Sequence, residues 1–407
     1  MLTDILASRP VEPDALHLMG ALRNSQGRSA EALVIMEKAV QLAPHEPGRW
    51  NDIGIIYARL SRDADAMAAY QQSAELGGDH PMAAAAHVNI GRIHMAEDAE
   101  RAERSFRRAI ELAPDLGPAW DGLSGALIKQ GRIPEGMDAW ARATVLMPKK
   151  ASREHMARAL LQIGRTEEAI AHYRRWLKED PKNPVVRHHL AALTQPSTVE
   201  RASDAYVESV FDEFAASFDS QLALLEYHTP ELISEAIRAV YPEAATTLDI
   251  ADAGCGTGLC GPLVLPWAKR LCGFDLSGGM LAQAEARKVY SDLHKFEIVT
   301  FLNAHPDEFD VIISADTLCY FGNLCEVIAA CAVAVRPGGH VFYTVEAASD
   351  DGPPHQLNPS GRYMHAKDHI AKSAEEAGLG VRSVQSVTLR AESGRPVLGW
   401  LATLNRP

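Results

Sequence analysis

Cysteine is absent from the first 254 residues of this 407-residue chain. The six cysteines fall between Cys255 and Cys331, and no two form a CxxC pair. That distribution excludes a disulfide framework and fits a reducing compartment. Long apolar runs are also missing: none approaches the ~18 residues of a membrane span. The opening stretch "MLTDILASRP" has no basic segment leading into an apolar one, so no secretory signal is read. These absences together predict a cytoplasmic protein with no membrane partner. Positive charge is scarce in one half only. Residues 1–200 carry 25 Lys and Arg against 26 Asp and Glu, whereas residues 201–407 carry 15 against 27. An acidic second half repels phosphate backbones, so a nucleic-acid partner is not expected.

What is present is length and periodicity. At ~150 residues per domain, a chain of this size holds two or three domains. The first half repeats with a period of about 34 residues. One unit offers Trp50, Gly54 and Tyr57 on a first helix and Ala66, Tyr70 and Ser73 on a second. Another offers Trp120, Leu123 and Leu127, then Gly136, Trp140 and Ala143, closed by Pro148. Leu16, Gly20, Ala32, Met36, Ala39 and Pro44 make an earlier unit, and Gly91, Ala102, Phe106, Ala109 and Pro114 a further one. Gly164, Ala169, Tyr173 and Pro181 make the last, with Glu154 where an aromatic residue is expected. Small residues let paired helices approach, bulky ones fill the gap between neighbours, and a proline stops each second helix. The pattern resembles the tetratricopeptide repeat family. The resemblance implies a helical solenoid over residues 1–197 with about five repeats, binding a protein partner or pairing two copies of the chain. His188 and His189, adjacent on a helix, read as surface residues.

"TQPSTVERAS", Thr194 to Ser203, breaks the helical pattern and reads as a linker. Tyr206, Val210, Phe211, Phe214, Phe218 and Leu222 then recur at helical steps. An aromatic stripe placed just before a glycine-rich segment suits a covering lid, here over residues 198–240, although plain packing explains it equally.

From residue 241 short apolar runs alternate with helical stretches, which predicts a mostly parallel sheet covered by helices. "TTLDIADA", "RLCGFDL", "HKFEIV", "FDVIISA", "HVFYTVE", "VRSVQSVTLR" and "VLGWLATLNR" read as its strands. Behind the first comes "DAGCGTG", Asp252 to Gly258. Bare backbone at the carboxyl end of a parallel strand lets a ligand approach directly, and "LCGPLVLPWA" is expected to open a helix there. Asp275 ends the second strand in "GFDLS", where a carboxylate can hold a ribose diol. Gly256, Gly258 and Gly261 also satisfy GxGxxG, so a dinucleotide remains an alternative on these residues alone.

Three features separate the two. The glycines at 254, 256 and 258 alternate behind Asp252; "VRPGGHV" precedes the fifth strand; and two long strands joined by "AESGR" close the chain. With "LSGGML" and "FDVIISADTLCYFGNL" in order, residues 203–407 resemble the seven-stranded, Rossmann-like S-adenosylmethionine-dependent methyltransferases. The chain as a whole resembles the bacterial predicted methyltransferases that carry tetratricopeptide repeats. The resemblance implies an α/β fold with an antiparallel last strand and S-adenosylmethionine as cofactor. It sets Gly254, Gly256 and Gly258 against the methionine part, with Cys255 between them in the cofactor-binding loop, Asp275 on the ribose, and Leu276 and Met280 around the adenine. Glu297 would meet the adenine amino group beside Ile298, in a place where the family usually has Asp, and the backbone near Ala315 would receive the ammonium group. Asp252 would orient the loop.

Residues beyond the fourth and fifth strands should face the acceptor. Asp316, Tyr320 and Glu346 are candidates there. In the polar insertion "NPSGRYMH", Arg362 is placed to clamp an acceptor carboxylate, with Tyr363 beside it and His365 to take a proton. Asp316 and His365 are the catalytic candidates. No metal site is read. The acceptor is expected to be a small molecule, or one presented by a peptide or carrier protein. A non-catalytic scaffold and a nicotinamide-linked oxidoreductase are the alternatives.

Overall fold

The structure, a computed structural model, describes residues 12–194, 199–349, 351–392 and 394–407, with the backbone alone at Lys150. The opening stretch "MLTDILASRP" and residues 195–198 of the expected linker lie outside the described residues. The chain divides into two compact units between Arg165 and Thr166.

The first unit is helical. Its helices are α1 (Pro13–Ser25), α2 (Ser29–Leu42), α3 (Pro47–Arg59), α4 (Asp63–Gly77), α5 (Ala84–His94), α6 (Ala99–Leu112), α7 (Gly117–Lys129), α8 (Ile133–Leu146) and α9 (Arg153–Gln162). The repeat pattern becomes packing here. A Cβ on Gly54 would sit 2.5 Å from the Tyr70 ring, and one on Gly91 would sit 2.8 Å from Phe106. Each small residue thus admits the bulky residue of the following helix. The indole of Trp50 donates to the Pro44 carbonyl at 2.7 Å, and that of Trp120 donates to the Pro114 carbonyl at 2.7 Å. The same contact therefore recurs in two repeats. Gly78 takes the place of the usual proline and ends α4 with a φ of 53°.

The second unit opens with α10 (Thr166–Glu179) and α11 (Pro184–Thr194), the last helices of the repeat pattern, followed by α12 (Asp204–Phe214), α13 (Phe218–Leu224) and α14 (Thr229–Val240). His188, expected at the surface, is buried: it stacks on Tyr206 with ring centroids 3.9 Å apart and lies 2.8 Å from the Gly361 carbonyl. Its place on a helix face gave no hint that another element covers that face.

Then come β1 (Leu248–Ala253), α15 (Gly261–Val264), β2 (Ala268–Asp275), α16 (Gly278–Ala286), β3 (Asp292–Lys295), α17 (Ile298–Asn303), β4 (Phe309–Ser314), α18 (Cys325–Ala334) and β5 (Val335–Ala347). A short hairpin, β6 (His355–Leu357) and β7 (Tyr363–His365), precedes α19 (Lys367–Glu376), β8 (Gly380–Glu392) and β9 (Arg395–Asn405). The sheet runs β3-β2-β1-β4-β5, with these neighbours parallel. β9 then lies antiparallel between β5 and β8. This is a Rossmann-like sheet whose last strand is reversed. The insertion "NPSGRYMH" forms the turn and second strand of the added hairpin, and β7 pairs with the end of β5. Strand residues alternate between two cores: Phe309 and Ile312 of β4 join one, Val311 and Ile313 the other.

Two local expectations are corrected. The run "HKFEIV" is not one strand: β3 stops at Lys295, because Glu297 caps α17 by accepting hydrogen bonds from the backbone of Val299 and Thr300. The helix after the glycine loop is one turn only, since Pro266 cannot continue it. Among the described residues no helix is long and apolar enough to cross a membrane.

Candidate active site

The chain leaves β1 at Gly254, with a φ of 71°. A Cβ there would fall 2.3 Å from Thr317 Cγ2, and Thr317 Oγ1 donates to the Gly254 carbonyl at 3.1 Å. The loop after β4 therefore presses on the loop after β1 and leaves no room for a side chain. Gly256 follows with a φ of 55° and open space where a Cβ would stand. Its bare backbone faces a cavity of about 1140 Å³, counted to its open mouth.

Carboxylates fix this loop. Asp252 is buried and accepts a hydrogen bond from the Tyr290 hydroxyl at 2.7 Å. Burial pushes its carboxyl up to about 7, against the pull of that hydrogen bond. Asp275, at the end of β2, accepts from the Gly256 N–H at 3.0 Å and the Ser277 N–H at 2.8 Å. Each of its oxygens keeps a further lone pair for a ligand donor. Glu297 differs. Its carboxylate receives Val299 N–H (2.9 Å), Thr300 N–H (2.7 Å), Thr300 Oγ1 (2.9 Å) and Arg201 (2.8 Å). Glu297 thus caps α17 and, with Ile298, lines the cavity where the adenine amino group is expected.

The α12–α13 stripe lies over this loop. Phe211, Phe218 and Leu222 line the cavity. Asp212 accepts from Ser277 Oγ and, at 3.1 Å, from the Gly279 N–H. Asp219 accepts from Thr257 Oγ1 at 2.6 Å and pairs with Arg287, which donates to the Thr257 carbonyl at 2.6 Å. Two carboxylates thus latch the helices onto the glycine loop and the turn after β2.

A charged pole lies in the same cavity, lined by Asp316, Arg362 and Arg390. Arg390, on β8, is 1% exposed and donates to Asp316 Oδ2 at 2.7 Å, to Glu392 at 2.8 Å and to Glu346. Arg362 donates to Glu392 at 2.6 Å and Glu346 at 3.3 Å. Asp316 has a φ of 54°, a conformation costing about 1–3 kcal/mol outside glycine. Its N–H donates to Thr344 Oγ1 at 2.8 Å, which helps hold it there. Its Oδ1 is buried and accepts no hydrogen bond from any described residue. Burial raises the Asp316 pKa, and the two arginines restrain the rise.

Of the residues expected at the site, Asp252, Gly254, Cys255, Gly256, Asp275 and Leu276 line the cavity, as do Glu297, Ile298, Ala315, Asp316, Tyr320 and Arg362. Five do not. Gly258 backs onto Tyr290, and Met280 is fully buried in the fold. Glu346 sits behind the arginines it pairs with. Tyr363 is buried and donates to the Val199 carbonyl at 2.8 Å. His365 is fully buried on β7, its ring 6.4 Å from that of His355 and 5.7 Å from that of His369, too far inside to take a proton from an acceptor. Sequence reasoning reached the hairpin but could not tell which side of its strand faces in. It missed Arg390, Tyr227 and Thr317. Only Arg390 left a trace, as the second cation of its strand, beside Leu389.

A bare turn after the first parallel strand, an acid at the tip of the second, and an antiparallel last strand define a Rossmann-like fold built for a nucleoside-bearing cofactor. A methyltransferase domain family matches residues 251–341, and a tetratricopeptide repeat family matches residues 151–193. A ubiquinone biosynthesis O-methyltransferase from Thiobacillus denitrificans is 30% identical over 156 residues, covering 34% of this chain and 67% of its own. Human methyltransferase-like protein 27 is 30% identical over 171 residues, covering 42% of this chain and 66% of its own. The solved 1,6-didemethyltoxoflavin-N1-methyltransferase of Burkholderia thailandensis is 16% identical with a TM-score of 0.41, covering 52% of this chain and 93% of its own. The chain belongs to the S-adenosylmethionine-dependent methyltransferase family. S-adenosylmethionine is therefore its cofactor, in place of the dinucleotide that GxGxxG left open, and the open backbone edge at Gly256 with the spare lone pairs of Asp275 fits it.

Proposed function

We propose that this chain transfers a methyl group to a small-molecule acceptor, free or presented by a peptide or carrier protein, and that its repeats bind the presenting protein or a second copy. The carrying observation is that one cavity is lined both by the glycine loop with Asp275 and by an aromatic wall with the Asp316 pole. Gly254 and Gly256 would lie against the methionine part of the cofactor, Asp275 against the ribose, Leu276 and Ile298 against the adenine, and the Ala315 backbone near the ammonium group. The bound cofactor supplies a methyl group on a positively charged sulfur. Transfer then needs an acceptor held in line with that methyl, and positioning of this kind is worth several kcal/mol. Phe211, Phe218 and Leu222 exclude water, while Asp316 orients the acceptor at the opposite pole.

The test is untargeted mass spectrometry of cell lysate incubated with the full chain and methyl-labelled S-adenosylmethionine. A labelled product that needs the protein supports the reading. Tight cofactor binding by calorimetry with no labelled product would favour a scaffold instead.

A further inference from the structure

The charge pattern at the acceptor end says what the acceptor is made of, given the methyl-transfer reading on which this rests. The pole holds the carboxylates of Asp316, Glu346 and Glu392 against the guanidiniums of Arg362 and Arg390, so one carboxylate is in excess. Arg390 spends all three of its guanidinium nitrogens inside the cluster, whereas Arg362 gives it Nη1. Arg362, which the sequence suggested as a clamp for an acceptor carboxylate, already holds Glu346 and Glu392 through Nη1, so Nη1 is not open to a second carboxylate. The group left over is Asp316 Oδ1, a buried acceptor atom without a donor among the described residues. A buried lone-pair atom of this kind is costly unless a donor meets it. A carboxylate acceptor would add a like charge beside it, where low dielectric amplifies repulsion. The remaining wall is apolar and aromatic, with Phe211, Phe218, Tyr227, Tyr320, Leu222 and Leu225.

We propose that the acceptor is an apolar, ring-bearing molecule that offers one N–H or O–H group to Asp316 Oδ1, and that anionic carboxylate acceptors are excluded. Asp316 is then a catalytic residue and Arg390 a positioning residue. The acceptor nitrogen or oxygen forms a bond to the methyl carbon through its lone pair. The bond from that carbon to the donor sulfur breaks, both electrons going to the sulfur, which becomes a neutral thioether. The acceptor proton passes to Asp316 Oδ1 and on to solvent. Arg390 holds Oδ2, so that only Oδ1 is offered, and favours the ionised form of the carboxylate.

The experiment uses the full chain, tritiated-methyl S-adenosylmethionine and whole cell lysate as the acceptor source. The expected product keeps its label in mild alkali, and mass spectrometry places the methyl on nitrogen or oxygen. Asp316→Asn, which keeps size and tolerates the left-handed backbone, loses about 10²–10⁴-fold in rate with cofactor affinity unchanged. Arg390→Met gives the second readout, on a site also faced by Tyr227, Cys319, Glu346, Arg362 and Glu392. Loss of the guanidinium makes Asp316 harder to ionise, so the acid limb of the kcat profile moves to higher pH. Label released by alkali as methanol marks an ester and overturns the proposal, as does methyl on carbon, or an Asp316→Asn rate within threefold of the parent. Cofactor binding without any labelled product overturns the methyl-transfer reading itself, and this inference with it.

Discussion

Asp316 Oδ2 and Arg390 Nη1 stand 2.7 Å apart across 74 residues of chain. One lies just after β4 and the other on β8, and the reversed last strand β9 links β8 to β5. Removing the guanidinium leaves Asp316, Glu346 and Glu392 short of a partner in the interior. Breaking a buried pair costs about 3–5 kcal/mol. Arg390→Met is expected to lower the urea midpoint by that equivalent with little change in slope, while Arg390→Lys recovers only part. A midpoint equal to the parent's would show that the cluster contributes nothing net.

Gly254→Ala sets a side chain 2.3 Å from Thr317 and into a left-handed φ. Strain of about 1–3 kcal/mol must be met by moving the loop that faces the cofactor. Cofactor affinity measured by calorimetry should fall by about fivefold or more. Pairing it with Thr317→Ser, which removes the offending methyl, should restore part of the loss.

Asp219 joins α13 to Thr257 and Arg287. Asp219→Ala removes this latch and loosens the wall formed by Phe218 and Leu222. We expect weaker cofactor binding, by about fivefold to thirtyfold, from loss of ~1–2 kcal/mol of hydrogen bonding. Hydrogen exchange should rise across residues 218–224 while the sheet stays protected.

Three histidines set an acid limit. Burial lowers the pKa of His355, His365 and His369, and repulsion from neighbouring histidines adds to this at His365 and His369. A histidine depressed in the folded state stabilises above its unfolded pKa of ~6.5 and loses that contribution as pH falls below it. Stability should therefore decline as pH falls below about 6.5, by up to ~1.4 kcal/mol per pH unit for each histidine. His365→Phe should flatten that slope. A second decline, below about pH 4.5, belongs to carboxyls such as Glu392, which burial alone would raise but which Arg362 and Arg390 hold at about 2. Melting temperatures measured from pH 8 down to about 2 separate the two windows.

Truncation tests the boundary. Removing residues 1–165 follows the division of contacts. Removing residues 1–197 also takes α11, with buried Val186 and the His188 contacts to Gly361 and Tyr206. The shorter deletion should leave a cooperative unit that binds cofactor. The longer one should lower its melting temperature by 5 °C or more, since burial of Val186 alone is worth ~1.5–3 kcal/mol. Equal melting of both would place the boundary at 197.

The order of the strands, the glycine turn and the acid at the tip of β2 could all be read along the chain, because each depends on residues within a few positions of one another. The pairing of Gly54 with Tyr70 was equally visible, since a repeat brings the same small and large residues together at a fixed offset. Short-range competition already blurred this at Glu297, where a cap replaced the end of a strand. His365 and Tyr363 show where the reading ended: a three-residue strand gives no sign of which face is covered.

The sequence alone determined the class of fold, the repeat array and the cofactor loop, through periodicity and backbone chemistry that act locally. Only the tertiary structure decided which carboxylates remain available to a ligand. Arg390 reaches Asp316 through an antiparallel strand pairing, and Arg201 reaches Glu297 across 96 residues. A side chain's charge is written in the sequence, but whether a partner already neutralises it depends on what the fold brings alongside.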